Sequence, residues 1–413
     1  MEKWTKAQAL EAFGKFVSPG KLKTYQLLGF DIVPARREGC RIWDKDGKAY
    51  LNCRSSGGVF NLGHRPPEMV AALRQALETL DLGDHLLLSE WRARLGQRLA
   101  ELTPGDIQYS VFGVGGGEAI DLAIKLARGS TRRPGVVSAI GGYHGHTGFA
   151  LATGDASYRE YFGPLAPGFQ QVPFGDSEIL EEAVTEQTAA VIFETIPATL
   201  GMVIPPDDYF PAVRRICDKT GAVMIIDEVQ AGLGRTGRLW AIDEYHVVPD
   251  IMVLAKGLAG SLYPMSATCF RPHLQKFFDE HPFVHVSTMG GSELGCAVAL
   301  ALLDRLSSPE LLAQVNQMAE VFNKGLLKLK FAHPRLLLEI RQKGLMIGLK
   351  MSDGKFGPLL ASQLAKNGVI AMFANNDSSV MQLMPPLIIS AEEVEEVLAA
   401  LGKSFLALEP FLA

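Results

Sequence analysis

Short apolar runs rich in β-branched residues alternate with helix-period segments through the middle of the chain. Strands are predicted over residues 107–112, 136–140, 189–195, 222–227, 251–255 and 266–270. Between the first two, Ala119, Leu122, Ala123, Leu126 and Ala127 recur at the spacing of one helix face. Continuously apolar strands alternating with helices imply an α/β fold with a largely parallel sheet covered on both faces. Ligands of such sheets bind in crevices at the carboxyl ends of the strands. The two ends of the chain read differently. Residues 42–51 have the alternation of a hairpin, with its turn at Asp46-Gly47. Beyond about residue 305, helical patterns over 310–329, 358–367 and 391–406 flank short strands near 339–341 and 346–351. The expected organisation is a large domain over 51–308. A smaller α+β domain is expected from both ends, 1–50 and 309–413.

Composition narrows the class of protein. With 413 residues, 47% hydrophobic and 21% charged, the chain has enough apolar surface for two or three packed domains and is no disordered tract. The net charge is −5 with no dense basic run, which argues against a nucleic-acid footprint. Apolar runs break well short of the ~18 residues a membrane span needs. Met1-Glu2-Lys3-Trp4 does not open like a secretory signal. Five cysteines (Cys40, Cys53, Cys217, Cys269, Cys296) without a Cys-x-x-Cys spacing read as reduced thiols, not a disulfide framework or zinc site. A soluble cytoplasmic enzyme is the expectation.

The most informative stretch runs from Ala222 to Gly237. An apolar strand delivers Asp227 and Glu228 at its carboxyl end, then a loop carrying Gly232, Gly234 and Gly237. The next apolar strand ends in Lys256-Gly257. A lysine closing a buried strand is poorly solvated, so its ammonium form is disfavoured and the amine becomes a usable nucleophile. An acid on a neighbouring strand end can hold a heteroaromatic nitrogen protonated. Pyridoxal 5′-phosphate needs this pair, a Schiff-base lysine and a carboxylate opposite the pyridinium nitrogen. A plain strand-end ion pair fits the same two residues.

The wider pattern is more specific. Ile226-Asp227-Glu228-Val229-Gln230-Ala231-Gly232 is followed by Gly234-Arg235-Thr236-Gly237, Pro249-Asp250-Ile251 and Lys256-Gly257. The series closely resembles the signature of class III aminotransferases, fold-type-I pyridoxal-phosphate enzymes. The resemblance extends from Trp43-Asp44-Lys45-Asp46-Gly47 through Asn61-Leu62-Gly63-His64, Tyr143-His144-Gly145 and Ser287-Thr288-Met289-Gly290-Gly291 to Pro385-Pro386-Leu387. It implies that Lys256 carries the cofactor and moves the substrate proton, and that Asp227 partners the pyridine nitrogen. Val229 and Tyr143 would cover the two ring faces, with His144 among the cofactor contacts. Gln230 would hydrogen-bond the phenolic oxygen, and Glu194 would lie near the same edge. Thr288 would reach the cofactor phosphate from the neighbouring subunit, implying a homodimer or a dimer of dimers with shared sites. Gly115, Gly116 and Gly117 form the phosphate loop before Glu118. Where the family usually carries hydroxyls, this loop offers only backbone N–H groups.

Other departures concern the substrate. The position of the arginine that binds the carboxylate of 2-oxoglutarate in ornithine-type relatives is Gln382, and its glutamate gate is Thr199. The tyrosine that helps hold ornithine aligns with Gly57. A glutamate/2-oxoglutarate enzyme is therefore not implied. Arg54 stands where relatives carry an apolar residue; it is either a surface or subunit-interface arginine or an anchor for a substrate anion. Phe60 either lines the pocket or belongs to an interface. No metal site is expected. The leading reading is amino transfer from an amine, ω-amino acid or small amino acid to a keto acid or aldehyde. Elimination of ammonia or phosphate by a lyase, and racemisation or epimerisation, are the alternatives.

Overall fold

The computed structural model describes residues 3–412. Its centre is a seven-stranded sheet. In spatial order the strands are Tyr109–Gly113, Ser266–Phe270, Ile251–Leu254, Val223–Asp227, Thr188–Glu194, Gly135–Ala139 and Phe169–Val172. The last five run parallel to one another. Ser266–Phe270 lies antiparallel to both of its neighbours, so a single strand is reversed. All six strands expected from the apolar runs are present, with ends moved by at most two residues. The seventh, Phe169–Val172, escaped the pattern because it is a half-buried edge strand with two glutamines at its centre.

The continuous apolar runs have a simple cause. Every residue of Thr188–Glu194, Val223–Asp227 and Ile251–Leu254 is buried, because both faces of the sheet are covered. Alternate residues feed two separate cores: Ile192, Ile225 and Val253 join one, and Phe193, Ile226 and Leu254 the other. The helix Gly116–Thr131 supplies the first core with Ala119, Ile120, Ala123, Ile124 and Ala127. It opens directly from the glycine loop that follows Tyr109–Gly113.

The expected hairpin is Arg41–Asp44 paired with Ala49–Asn52. Asp44 Oδ1 accepts hydrogen bonds from the backbone N–H of Asp46 (3.0 Å) and Lys48 (2.8 Å), which shapes the turn. Ala49–Asn52 also pairs in parallel with Val369–Ile370, from the far end of the sequence. The expected division at residue 50 thus falls inside a strand. A third, antiparallel sheet contains Leu337–Lys343, Met346–Met351, Val380–Leu383 and Met372–Phe373. The helices Pro309–Ala332, Phe356–Lys366 and Ala391–Leu408 cover the three expected helical segments. Two N-terminal helices, Lys6–Phe16 and Pro19–Leu27, bury no residue fully, so no apolar stripe announces them. Among the described residues no helix is long and apolar enough to cross a membrane.

Arg235 joins these parts. It is fully buried and donates to Asn61 Oδ1 (2.7 Å), Leu345 O (3.1 Å) and Pro385 O (2.5 Å). Burial pushes its guanidinium down to about 9. The acceptors are amide oxygens, so a buried cation is held by dipoles from three separate segments. Gly344, with φ of 55°, lets the chain pass against Arg235 and Thr236; a Cβ there would lie 2.4 Å from the Thr236 carbonyl carbon.

Candidate active site

The carboxyl ends of the central strands open into a cavity of about 500 Å³. Strand register determines which groups meet there. In the ladder, Glu194 is the partner of Asp227, and Asp227 is the partner of Val253, a few residues before Lys256. Two acids and a lysine therefore converge at one end of the sheet. Asp227 and Glu228 are adjacent in sequence and point to opposite sides of the strand. Only Asp227 lines the cavity. Glu228 is buried behind it, accepting from Thr195 Oγ1 (2.5 Å) and the N–H groups of Ala241 and Ile242 (both 2.9 Å). Burial pushes Glu228 up to about 7, and these three donors pull it back.

Asp227 is held from two directions. His144 Nδ1 lies 2.8 Å from its Oδ2, and Val229 N–H donates to its Oδ1 at 2.9 Å. A carboxylate accepts, so Nδ1 donates, and the other ring nitrogen is Nε2. That Nε2 is buried and has no partner among the described residues. Glu194 accepts from Tyr143 N–H (3.2 Å) and Ala198 N–H (3.4 Å). Burial pushes its carboxyl up to about 7; His144 and the Tyr143 amide oppose the shift, while Asp227 adds to it.

Lys256 donates to Gln230 Oε1 at 2.9 Å. Its backbone is left-handed, with φ of 43°, a strained conformation for a side-chain-bearing residue. Burial lowers its ammonium pKa; Asp227 and Glu194 oppose this, and Arg54 adds to it. The amine form of the lysine is thus favoured by desolvation.

Gly115, Gly116 and Gly117 border the cavity at the head of the helix Gly116–Thr131. No side chain caps this sixteen-residue helix, so its first-turn amides face the cavity side uncovered. Gly145, with φ of 129°, packs onto the loop; a Cβ there would lie 2.8 Å from Gly117 Cα. Val114 N–H is already used by Glu118 Oε2 at 2.7 Å.

A smaller cavity of about 200 Å³ shares Tyr143, Gln230 and Lys256 with the larger one. Arg54, Thr199 and Gln382 line it. Sequence reasoning missed Phe373 and Asn375 here, and Ser261 and Tyr263 in the larger cavity. Phe373 ends a two-residue strand and the other three come from irregular stretches, where no periodicity marks a lining residue. Two expected contacts are not brought to either cavity. Phe60 packs its ring on His64, with centroids 4.2 Å apart. Thr288 is exposed on the loop following Pro272–Glu280, away from the cavity of its own chain.

Comparison with known proteins gives this geometry its context. The family description Aminotransferase class-III matches residues 26–405. An uncharacterized aminotransferase of Archaeoglobus fulgidus is 57% identical over 392 residues, covering 95% of this chain and 92% of that one. A putrescine aminotransferase of Pectobacterium atrosepticum is 36% identical over 406 residues, covering 95% and 87%. The crystal structure of ornithine aminotransferase from Toxoplasma gondii superposes with a TM-score of 0.91 at 27% identity, covering 99% of this chain and 97% of that one. Enzymes of this kind use pyridoxal 5′-phosphate, and the groups present fit it. Uncapped helix amides suit a phosphate, a buried carboxylate suits a ring nitrogen, and a desolvated primary amine suits an aldehyde.

The raised carboxyl of Glu194 has a consequence for stability. A carboxyl whose pKa is about 7 folded and near 4.3 unfolded costs nothing below both values; stability is lost as pH rises through that interval. Glu194→Gln, neutral at every pH, is therefore expected to stabilise the cofactor-free protein by roughly 3–4 kcal/mol at pH 8 and by only about 1 kcal/mol at pH 5. Urea melts of both proteins at the two pH values check this; an equal effect at both would contradict it.

Proposed function

The chain belongs to the class III aminotransferases, and on that premise we propose that it moves the amino group of an amine, an ω-amino acid or a small amino acid to a keto acid or aldehyde, with glutamate and 2-oxoglutarate as poor substrates. The observation that carries this reading is the wall of the smaller cavity. Gln382 spends its amide N–H on Ala198 O at 2.5 Å, and Thr199 Oγ1 donates to Gly141 O at 3.4 Å. Neither side chain offers a cation that could receive the second carboxylate of a dicarboxylic substrate. Relatives named as aminotransferases give elimination and racemisation no support.

Bound pyridoxal phosphate supplies an electron sink for chemistry at the amino-bearing carbon. The chain's own residues do the rest. Lys256 is the amine that attaches the cofactor and then carries the substrate proton. Gln230 steers its Nζ through the 2.9 Å hydrogen bond. Asp227 would face the ring nitrogen and favour its protonated form, and His144 orients the Asp227 carboxylate. Val229 and Tyr143 line the cavity and would cover the ring faces. The amides of Gly115, Gly116 and Gly117 bind the phosphate.

Thr288 completes the phosphate site only from a second copy of the chain, so the active form is a homodimer or a dimer of dimers. Supporting this, Thr288 lies beside the exposed apolar residues Phe283, Val284, Val286 and Met289.

Lys256→Ala is expected to abolish turnover. Borohydride treatment of the loaded enzyme should leave a pyridoxyl label on Lys256 in peptide maps; a label on another lysine would overturn the assignment. For assembly, sedimentation should find no active monomer, and Thr288→Ala should weaken cofactor binding by about 1–3 kcal/mol. An active monomer with unchanged cofactor affinity would sink the shared site. For specificity, kcat/KM with glutamate or 2-oxoglutarate should fall at least about 100-fold below that of a monocarboxylate or amine pair, since an unpaired carboxylate costs several kcal/mol in a closed pocket. Comparable values would show that another anchor exists.

A further inference from the structure

Arg54 begins one of the most contorted segments of the chain. Ser55, Ser56, Gly57 and Gly58 follow it with φ of 46°, 48°, 67° and 102°, four left-handed residues in succession. Glycine adopts this region freely, but each serine does so at a cost of about 1 kcal/mol. Something must hold the segment in place, and Asn52 does. Its Oδ1 accepts from the N–H of Arg54 (3.2 Å) and of Ser55 (3.1 Å), and its amide nitrogen lies 3.0 Å from His64 Nε2. Gly57 N–H closes the turn onto Arg54 O at 2.9 Å.

The backbone at Arg54 is therefore locked, while its side chain borders the smaller cavity without an acidic partner among the described residues. The other charged side chains on that cavity are Lys256 and, when protonated, His146. Ser56, Thr199, Asn375 and Gln382 are neutral, and none of the cavity's lining residues is an aspartate or glutamate. Glu194 belongs to the adjoining cavity and is spent on the amides of Tyr143 and Ala198. Gly57 keeps the space open; a Cβ there would lie 3.3 Å from Gln230 Nε2. Strain that is tolerated in order to present an unpaired guanidinium marks a functional position.

We propose that Arg54 is the specificity-determining anchor of this enzyme, gripping a carboxylate at the far end of the amino donor and selecting ω-amino monocarboxylates over diamines. The inference deepens the amino-transfer reading above and rests on it. A guanidinium fork binds a carboxylate through two parallel hydrogen bonds. The distal ammonium of a diamine would instead leave water for a cavity with neutral acceptors and a fixed cation. This sets the chain apart from the substrate named for its Pectobacterium relative.

The holoenzyme is tested with 4-aminobutyrate and putrescine, each with pyruvate as acceptor. Wild type should prefer 4-aminobutyrate. Arg54→Gln should lower the 4-aminobutyrate-to-putrescine ratio of kcat/KM by about 10- to 100-fold, mainly through KM, the loss expected for a charge-assisted hydrogen bond. Arg54→Glu should shift the ratio further toward putrescine. Wild-type turnover of 4-aminobutyrate should also be inhibited competitively by pentanoate and not by neutral pentanamide. That measurement decides the question if the variants do not fold. A wild-type preference for putrescine, a ratio unmoved in both variants, or equal inhibition by the acid and the amide would overturn the anchor and leave amino transfer standing. Absence of transfer from any donor would overturn both.

Discussion

Parallel strands in register bring Glu194, Asp227 and Lys256 to one water-poor end of the sheet, and much of the surrounding structure answers that constraint. Each of these groups would rather be charged in water, and none has that option. Asp227 is stabilised by His144 and the Val229 amide, Glu194 by two backbone amides, and Lys256 by Gln230. The outcome differs for each because the compensation differs. Burial, with Asp227 adding to it, pushes Glu194 toward neutrality more strongly than His144, the Tyr143 amide and Lys256 oppose it. Lys256 is desolvated strongly enough that two nearby acids do not restore its ordinary basicity. The cluster thus keeps an amine ready to react beside a carboxylate that is firmly oriented.

The same economy governs the cofactor end. Where the family pattern has hydroxyl side chains, this chain has a run of glycines, so this loop offers the cavity only backbone groups. Close packing excludes a side chain at Gly145 and crowds one at Gly117, while Gly115 and Gly116 have room for a Cβ. An anion bound there is held by amides and a helix end rather than by paired side-chain charge.

The smaller cavity adjoins this machinery and is built from remote parts of the chain. Arg54 and Gly57 come from the N-terminal region, Thr199 from the centre, and Asn375 and Gln382 from the C-terminal sheet. Arg235 is the tie between them. It bonds Asn61, Leu345 and Pro385 at once, so the N-terminal loop and the Pro385 segment are registered on the Gly234–Gly237 loop.

Much of this was legible in the residues. Continuous apolar runs determined the buried parallel strands, because a strand covered on both faces has no polar side to show. The ordered series from Asp227 to Lys256 and on to Pro385 determined the family, because that chemistry demands those residue types at those strand ends. Tertiary structure decided what periodicity cannot encode. It turned Asp227 toward the cavity and Glu228 away, paired His144 with Asp227 across 83 positions of sequence, and seated Phe60 on His64 instead of in the site. It also brought Asn375 to the same cavity as Arg54. Local pattern records whether a side chain is buried. Which distant group it meets depends on how whole elements pack, and only the folded chain determines that.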